Sequence, residues 1–205
     1  MRVVFAVPMT LIPVNRREVS LYTALGLVTF TTYFVTSRLV QAPTAVVMPE
    51  WVPFLPILTL PYLLQVVVSY VLAMRIQAPA LRHAVFKAYF LSLTATFGIW
   101  LSFPTVMRRP PAPDGWWNWP YAVVASADLP VHILPAGHIL MPVLICWAFA
   151  YERPRWLWWL IPAELVGTAG IVTTWQHRPM DVLYGAALAV AAGLAFGVGR
   201  ARAAP

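Results

Sequence analysis

Charge is scarce in this chain. Only 10% of its 205 residues are Asp, Glu, Lys or Arg, against 60% from the set AVILMFWYC, and mean hydropathy is +0.72. A soluble domain carries about a quarter charged residues, so a water-soluble globular fold does not fit. Cysteine is nearly missing too. Cys146 is the only one and lies in an apolar run, which excludes an intrachain disulfide and leaves the redox compartment unread. Acidic residues number seven against fourteen basic ones, a net charge of +7. The basic residues fall in small groups between apolar runs, without the aromatic-interleaved patch that nucleic acid needs; they read as topology signals. Internal repeats and low-complexity tracts are missing as well. What the chain does have is twenty prolines and ten tryptophans. In so apolar a sequence these indicate irregular helices with interfacial aromatic anchors. The expectation is an integral membrane protein of one domain.

The apolar stretch Val3 to Val14 is broken by Pro8 and Pro13 and followed by Asn15-Arg16-Arg17, not by a small-residue cleavage site. Residues 1–18 are therefore expected to stay as a cytoplasmic or surface segment. A bilayer-crossing helix needs about 20 apolar residues. Six stretches qualify, roughly 19–37, 53–74, 85–103, 136–151, 156–175 and 180–198. The predicted fold is all-α, a six-helix transmembrane bundle over 19–198, with a cytoplasmic tail at 199–205. One longer loop, 104–134, joins spans three and four; it holds Pro104, Pro110, Pro111, Pro113 and the cluster Trp116-Trp117-Asn118-Trp119.

Orientation follows from the basic residues. With both termini in the cytoplasm, the inner segments hold Arg2, Arg16, Arg17, Arg75, Arg82, Lys87, Arg153, Arg155, Arg200 and Arg202, and the outer ones only Arg38, Arg108, Arg109 and Arg178. Ten against four points the termini inward. Lys87 stands alone against thirteen arginines, a bias that leans toward a GC-rich bacterial genome, where the membrane would be the inner one.

Three of the four outer arginines lie in the segments that also carry polar candidates. There are four histidines. His83 falls in an inner loop beside Arg82 and reads as a surface residue; His132 reads as a solvated loop residue. His138 and His177 differ, since each stands at the outer edge of a span. Helix N-termini there present free N–H groups and partial positive charge, which favour a phosphate. His177 and Asp181 are spaced i, i+4, so an aspartate one turn on could hold one imidazole nitrogen and leave the other free to attack. Ordinary interfacial polar residues are the competing reading of the same cluster. Glu164, inside the fifth span, lies 13 positions from His177. That is about 20 Å along a helix, so it reads as a hydrogen-bonded structural glutamate near Gly167 and Gly170. Trp116, Trp117 and Trp119 read as interfacial anchors.

The run Pro135-Ala136-Gly137-His138, followed thirty-nine residues on by His177-Arg178-Pro179-Met180-Asp181, resembles the last two motifs of the type 2 phosphatidic acid phosphatases. Arg109-Pro110 stands where that family's first motif ends in Arg-Pro. Trp51-Val52-Pro53-Phe54-Leu55-Pro56 with Pro61-Tyr62 resembles the second span of its membrane branch. Gln176-His177 with Asp181 and Gly185 is similar to the subgroup near inositol phosphorylceramide and sphingomyelin synthases. The resemblance covers roughly residues 50–190. It implies a six-helix bundle with its site at the outer helix ends, a phosphohistidine formed on His177, Asp181 orienting that histidine, and His138 protonating the leaving oxygen. It implies no metal or cofactor.

Several positions depart from the family pattern. Ser102 stands where the first motif has lysine, Ala136 where the second has serine, and Gly170 and Ile171 where the third has Ser-Arg. Arg108, Arg109, Arg178 and the backbone at Gly137 are the phosphate-binding candidates that remain, with Arg109 preferred to Arg108. The function expected is hydrolysis of a lipid-linked phosphate monoester or diphosphate at the outer membrane face. The alternatives are a headgroup phosphotransferase using the same intermediate, and a non-catalytic relative or transporter centred on Glu164.

Overall fold

The computed structural model describes residues 16–200. Most of the expected N-terminal segment and of the tail lies outside the described residues. The described chain forms seven α-helices: α1 (Arg16–Leu39), α2 (Thr59–Met74), α3 (Pro79–Ser102), α4 (Trp119–Ala127), α5 (Leu140–Glu152), α6 (Leu157–Thr173) and α7 (Pro179–Ala195). Six of them fall on the six apolar stretches. Four helical segments, Arg16–Leu39, Pro56–Met74, Pro79–Ser102 and Pro154–Thr173, are long and apolar enough to cross a membrane; Gly137–Glu152 and Pro179–Ala195 are apolar but shorter.

Proline sets several helix starts. It occupies the first turn of α3 and α7, where its missing N–H costs nothing and its fixed φ suits the helix. Ahead of α3, the free backbone N–H groups of Gln77 and Ala78 both donate to Glu152 Oε1 at 2.8 Å, which ties the end of α5 to the start of α3. At the same end Arg82 donates to Glu18 through Nε at 3.0 Å and to the Ile76 carbonyl at 2.7 Å. Tyr22 stacks on Phe86 at 3.7 Å and accepts the Tyr70 hydroxyl on its carbonyl. Together these contacts pin α1, otherwise the most peripheral helix, to α2 and α3.

The core forms around α5, which packs against α2, α3, α6 and α7, while α2 pairs with α6 and α3 with α7. The α2–α6 seam carries a buried polar strip. Ser69 donates to Glu164 Oε1 at 2.7 Å, and Gln65 Nε2 donates to the Glu164 carbonyl at 3.0 Å and to Thr168 Oγ1 at 3.1 Å. Glu164 is thus the hydrogen-bonded glutamate that the sequence indicated. Gly167 makes the seam possible, because a Cβ there would stand 2.6 Å from the Gln65 side chain.

The connection 104–134 is not the plain loop expected. It contains β2 (Thr105–Met107), which pairs in parallel with β1 (Thr44–Val46), and then α4. Sequence reading missed these strands because each has three residues and neither alternates in polarity. Thr105 fixes the segment that follows α4: its carbonyl accepts the His132 N–H at 3.1 Å and its hydroxyl accepts the Ile133 N–H at 3.1 Å.

Candidate active site

His177 lies in the turn between α6 and α7. The last turn of α6 closes with Thr174 donating its N–H to the Gly170 carbonyl at 3.0 Å, while the N–H groups of Gln176 and His177 share the Ile171 carbonyl at 3.1 and 3.3 Å. Trp175 takes φ +57° to complete that turn, a left-handed position usually given to glycine. The imidazole it presents is buried, 4% exposed.

His138 lies in the 3-10 turn that leads into α5. The two imidazoles meet, His138 Nδ1 standing 3.2 Å from His177 Nε2. The other nitrogen of His177, Nδ1, lies 2.6 Å from the Ile133 carbonyl. A carbonyl only accepts, so Nδ1 carries the hydrogen and the lone pair of the neutral ring sits on Nε2. The contact between the rings then has His138 donating from Nδ1. Two histidines of equivalent sequence context are thereby differentiated into a lone-pair bearer and a proton bearer. Burial holds the His177 proton affinity well below the ordinary histidine range, with His138, Arg109 and Arg178 adding to the shift and the Ile133 carbonyl opposing it.

Asp181 does not orient His177. Its carboxylate accepts from Arg178, at 2.8 Å from the backbone N–H, 3.0 Å from Nε and 2.8 Å from an Nη. The cause is where the helix begins. Pro179 is the first residue of α7 and Arg178 its N-cap, so Asp181 is the third residue of the helix and turns back as the acidic half of a capping box. His177 precedes the cap, and the i, i+4 geometry never applies to it. The orienting acceptor is the Ile133 carbonyl instead. Asp181 still braces the site through its own carbonyl, which accepts the Ala136 N–H at 2.9 Å. Gly185 allows this approach, since a Cβ there would collide with the Ala136 carbonyl.

The arginine candidates separate clearly. Arg108 is exposed. Arg109 is drawn in, its side chain 8% exposed, and donates to Asp128 Oδ2 at 2.9 Å and to the Asp128 carbonyl at 3.0 Å. Asp128 also accepts the Tyr33 hydroxyl at 2.5 Å. Arg178 is committed to Asp181. Gly137 packs its Cα against Trp100, 3.2 Å from where a Cβ would stand.

His132 is not a solvated loop residue. It is 1% exposed, takes φ +62°, stacks on Trp100 at 4.9 Å and meets the edge of Tyr33 at 5.9 Å. Burial lowers its proton affinity, and Asp128 opposes that. The backbone of Thr36 faces the ring, but not in hydrogen-bond geometry. Tyr62 flanks the pair, its ring edge-on to His138 at 5.6 Å. Asp128, Tyr33, Tyr62, Trp100 and the Ile133 carbonyl were all missed by sequence reading. Of these, Tyr62 stood in the Pro61-Tyr62 pair of the second-span resemblance, and Asp128 left a usable signal as one of seven acidic residues in the chain, placed in the 104–134 connection with Arg109.

Two departures from the family pattern acquire a structural reason. Gly170 lies so close to the turn leading into α2 that a Cβ would stand 2.5 Å from the Leu58 carbonyl, and Ile171 is fully buried core. Neither position offers room for a phosphate-binding side chain. Among the described residues, no group of three or more His, Cys, Asp or Glu side chains is placed to hold a metal ion. No family model, curated protein or solved structure matches the chain. The site is therefore interpreted from its own geometry: a buried imidazole whose Nδ1–H is held by a carbonyl, a second imidazole in contact with its Nε2, and a buried guanidinium whose charge bears on the first.

Proposed function

We propose that this protein is an integral membrane phosphatase that removes phosphate from a lipid phosphate monoester or diphosphate through a phosphohistidine on His177, as a branch of the type 2 phosphatidic acid phosphatases. In this reading all six apolar segments, the two shorter ones included, cross the bilayer, both termini are cytoplasmic, and the histidine pair opens to the outer face. The observation that carries it is the paired contact of His177: Nδ1–H to the Ile133 carbonyl at 2.6 Å and Nε2 to His138 at 3.2 Å. Exposed Trp51, Trp116, Trp117 and Trp119 at one end of the bundle, with exposed Trp158 and Trp159 at the other, support membrane placement as two aromatic belts.

The steps follow from the tautomers. The His177 Nε2 lone pair attacks phosphorus as the P–O bond to the lipid breaks, and His138, protonated on both nitrogens in the complex with the phosphate, gives its Nδ1 proton to the departing oxygen and is left a neutral imidazole. His138, now neutral at that nitrogen, takes a proton from water, whose oxygen attacks phosphorus and breaks the P–N bond. Free phosphate leaves and His177 recovers its lone pair. Arg109 offsets the charge on the phosphoryl oxygens. Phosphorus must enter between two nitrogens that now stand 3.2 Å apart, so binding has to separate the rings.

Asp128 is a positioning residue in this scheme. Asp128→Asn removes the charge that holds Arg109, and kcat/KM is expected to fall about tenfold to a hundredfold, chiefly through KM, with partial recovery in Asp128→Glu. Equal kcat/KM in Asp128→Asn and wild type would contradict the role. The pH profile gives a second check. Because burial keeps His177 neutral, kcat/KM should hold its plateau as pH falls through the usual histidine value of about 6.5; a decline centred there would contradict a buried neutral nucleophile. The reading as a whole is tested by phosphate release from a panel of phosphatidate, phosphatidylglycerophosphate, sphingoid phosphate and polyprenyl diphosphate. Release from at least one is expected. Silence across the panel, with headgroup transfer once an alcohol acceptor is added, would replace the hydrolase with a transferase.

A further inference from the structure

Glu164 takes no part in the phosphatase scheme. It is buried in the α2–α6 seam, and Ser69 Oγ stands 2.7 Å from both Glu164 Oε1 and the Gln65 carbonyl. A serine hydroxyl has one hydrogen to give, and a backbone carbonyl only accepts. That single hydrogen serves one of the two contacts at a time. Donated to Glu164 Oε1, it suits a carboxylate but leaves Ser69 and the Gln65 carbonyl facing each other at 2.7 Å with no hydrogen between them. Turned onto the Gln65 carbonyl, it frees a Ser69 lone pair for a hydrogen on Glu164 Oε1, and both contacts are then hydrogen bonds. The rest of the seam supports the second arrangement. The Gln65 amide lies beside the carboxyl, but its two hydrogens go to the Glu164 carbonyl at 3.0 Å and to Thr168 Oγ1 at 3.1 Å. Glu164 Oε2 is buried and finds no hydrogen-bond partner among the described residues. An ionised carboxylate with one donor is poorly compensated in such a place, whereas a carboxylic acid carries no charge.

We propose that Glu164 is a proton-binding site inside the bundle: at pH 7 the acid carries a hydrogen on Oε1 and donates it to Ser69 Oγ, and Ser69 donates in turn to the Gln65 carbonyl. The proton comes from water. Uptake forms one O–H bond at Oε1 and turns one hydroxyl; release reverses both, and the heavy atoms keep their places. No cation competes for the carboxyl, since Glu164 makes no ion pair among the described residues. Of the elements packed on α6, α2 presents Gln65 and Ser69, and α5 presents the Cys146 thiol. The turn at Pro56–Leu58 presents nothing titratable, and the turn at Pro154–Trp156 presents Arg155, which is exposed and nine positions away, about 14 Å along a helix. The site uses neither histidine, so it stands whether or not the phosphatase reading does.

The test is difference infrared spectroscopy of the full chain in nanodiscs at pH 7, wild type against Glu164→Gln, an uncharged side chain of the same shape. The C=O stretch of a carboxylic acid is expected in the wild type and is lost in Glu164→Gln. Ser69→Ala should keep the band and shift it to higher frequency, because the acid loses its acceptor. Glutamate isotopically labelled at the side-chain carboxyl should move the same band in unsubstituted protein, so the assignment does not depend on how either variant folds. A wild type with no acid band sensitive to the label, a band that survives Glu164→Gln, or one that Ser69→Ala leaves unmoved overturns the proposal. Loss of the band when sodium chloride replaces choline chloride overturns it too, since the seam would then hold a monovalent cation on an ionised carboxylate.

Discussion

His177→Ala is expected to leave no phosphate release above background on any substrate the wild type turns over, while inserting, purifying and melting like the parent. The loss should exceed that of His138→Ala. Removing the nucleophile eliminates the covalent route altogether, whereas removing a general acid typically costs about 10²–10⁴-fold and spares substrates whose leaving group needs no proton. An activated aryl phosphate should therefore partly rescue His138→Ala and leave His177→Ala inert. The two variants separate because the histidines differ in bonding: only His177 has its Nδ1–H held by a carbonyl, that of Ile133. Equal rescue of both variants would mean that the roles are not divided as the geometry divides them.

Asp181→Ala carries the second large effect, and it falls on stability. The carboxylate is fully buried, accepts three hydrogen bonds from Arg178, and lies at the start of α7. Removing it leaves a guanidinium that is one-quarter exposed without its partner, uncaps the helix, and loosens the turn that presents His177. Breaking a buried pair costs about 3–5 kcal/mol; the partial exposure of Arg178 puts the expectation near the lower end, about 3 kcal/mol. Thermal unfolding in detergent should show a clear drop in Tm. Asp181→Asn should be milder, since an amide oxygen can still cap the Arg178 N–H, and it should keep substantial activity. A residue that oriented the nucleophile would behave differently: the asparagine variant would melt normally and be nearly inactive. That outcome would restore the histidine–aspartate pairing.

The case of Asp181 shows where sequence reading stopped. The i, i+4 spacing is correct arithmetic, but it presumes a helix that already includes His177. Pro179 marks the true start, two residues later, and a third-position acid then belongs to the cap. The helices of the apolar stretches were legible because apolar length specifies them: all six predicted stretches carry one, and four of these are long enough to cross a membrane. The strap of β1, β2 and α4 was not, because short pairings between Thr44–Val46 and Thr105–Met107 depend on a partner some sixty residues away. The site divides the same way. His138, His177 and Arg109 could be picked out by residue type and motif order. The Ile133 carbonyl could not, since a backbone acceptor has no side-chain signature, and its placement depends on Thr105 holding the neighbouring N–H groups. His132 was misjudged for a related reason. A proline-rich connection suggests solvent, yet this one folds back and stacks the ring on Trp100.

The most direct measurement is to quench wild-type protein into alkali during turnover of a radiolabelled lipid phosphate and to map the labelled peptide. An alkali-stable, acid-labile phosphoryl group on His177, missing from His177→Ala, is the predicted result. Label on any other residue, or steady phosphate release with no covalent label at any quench time, would contradict it.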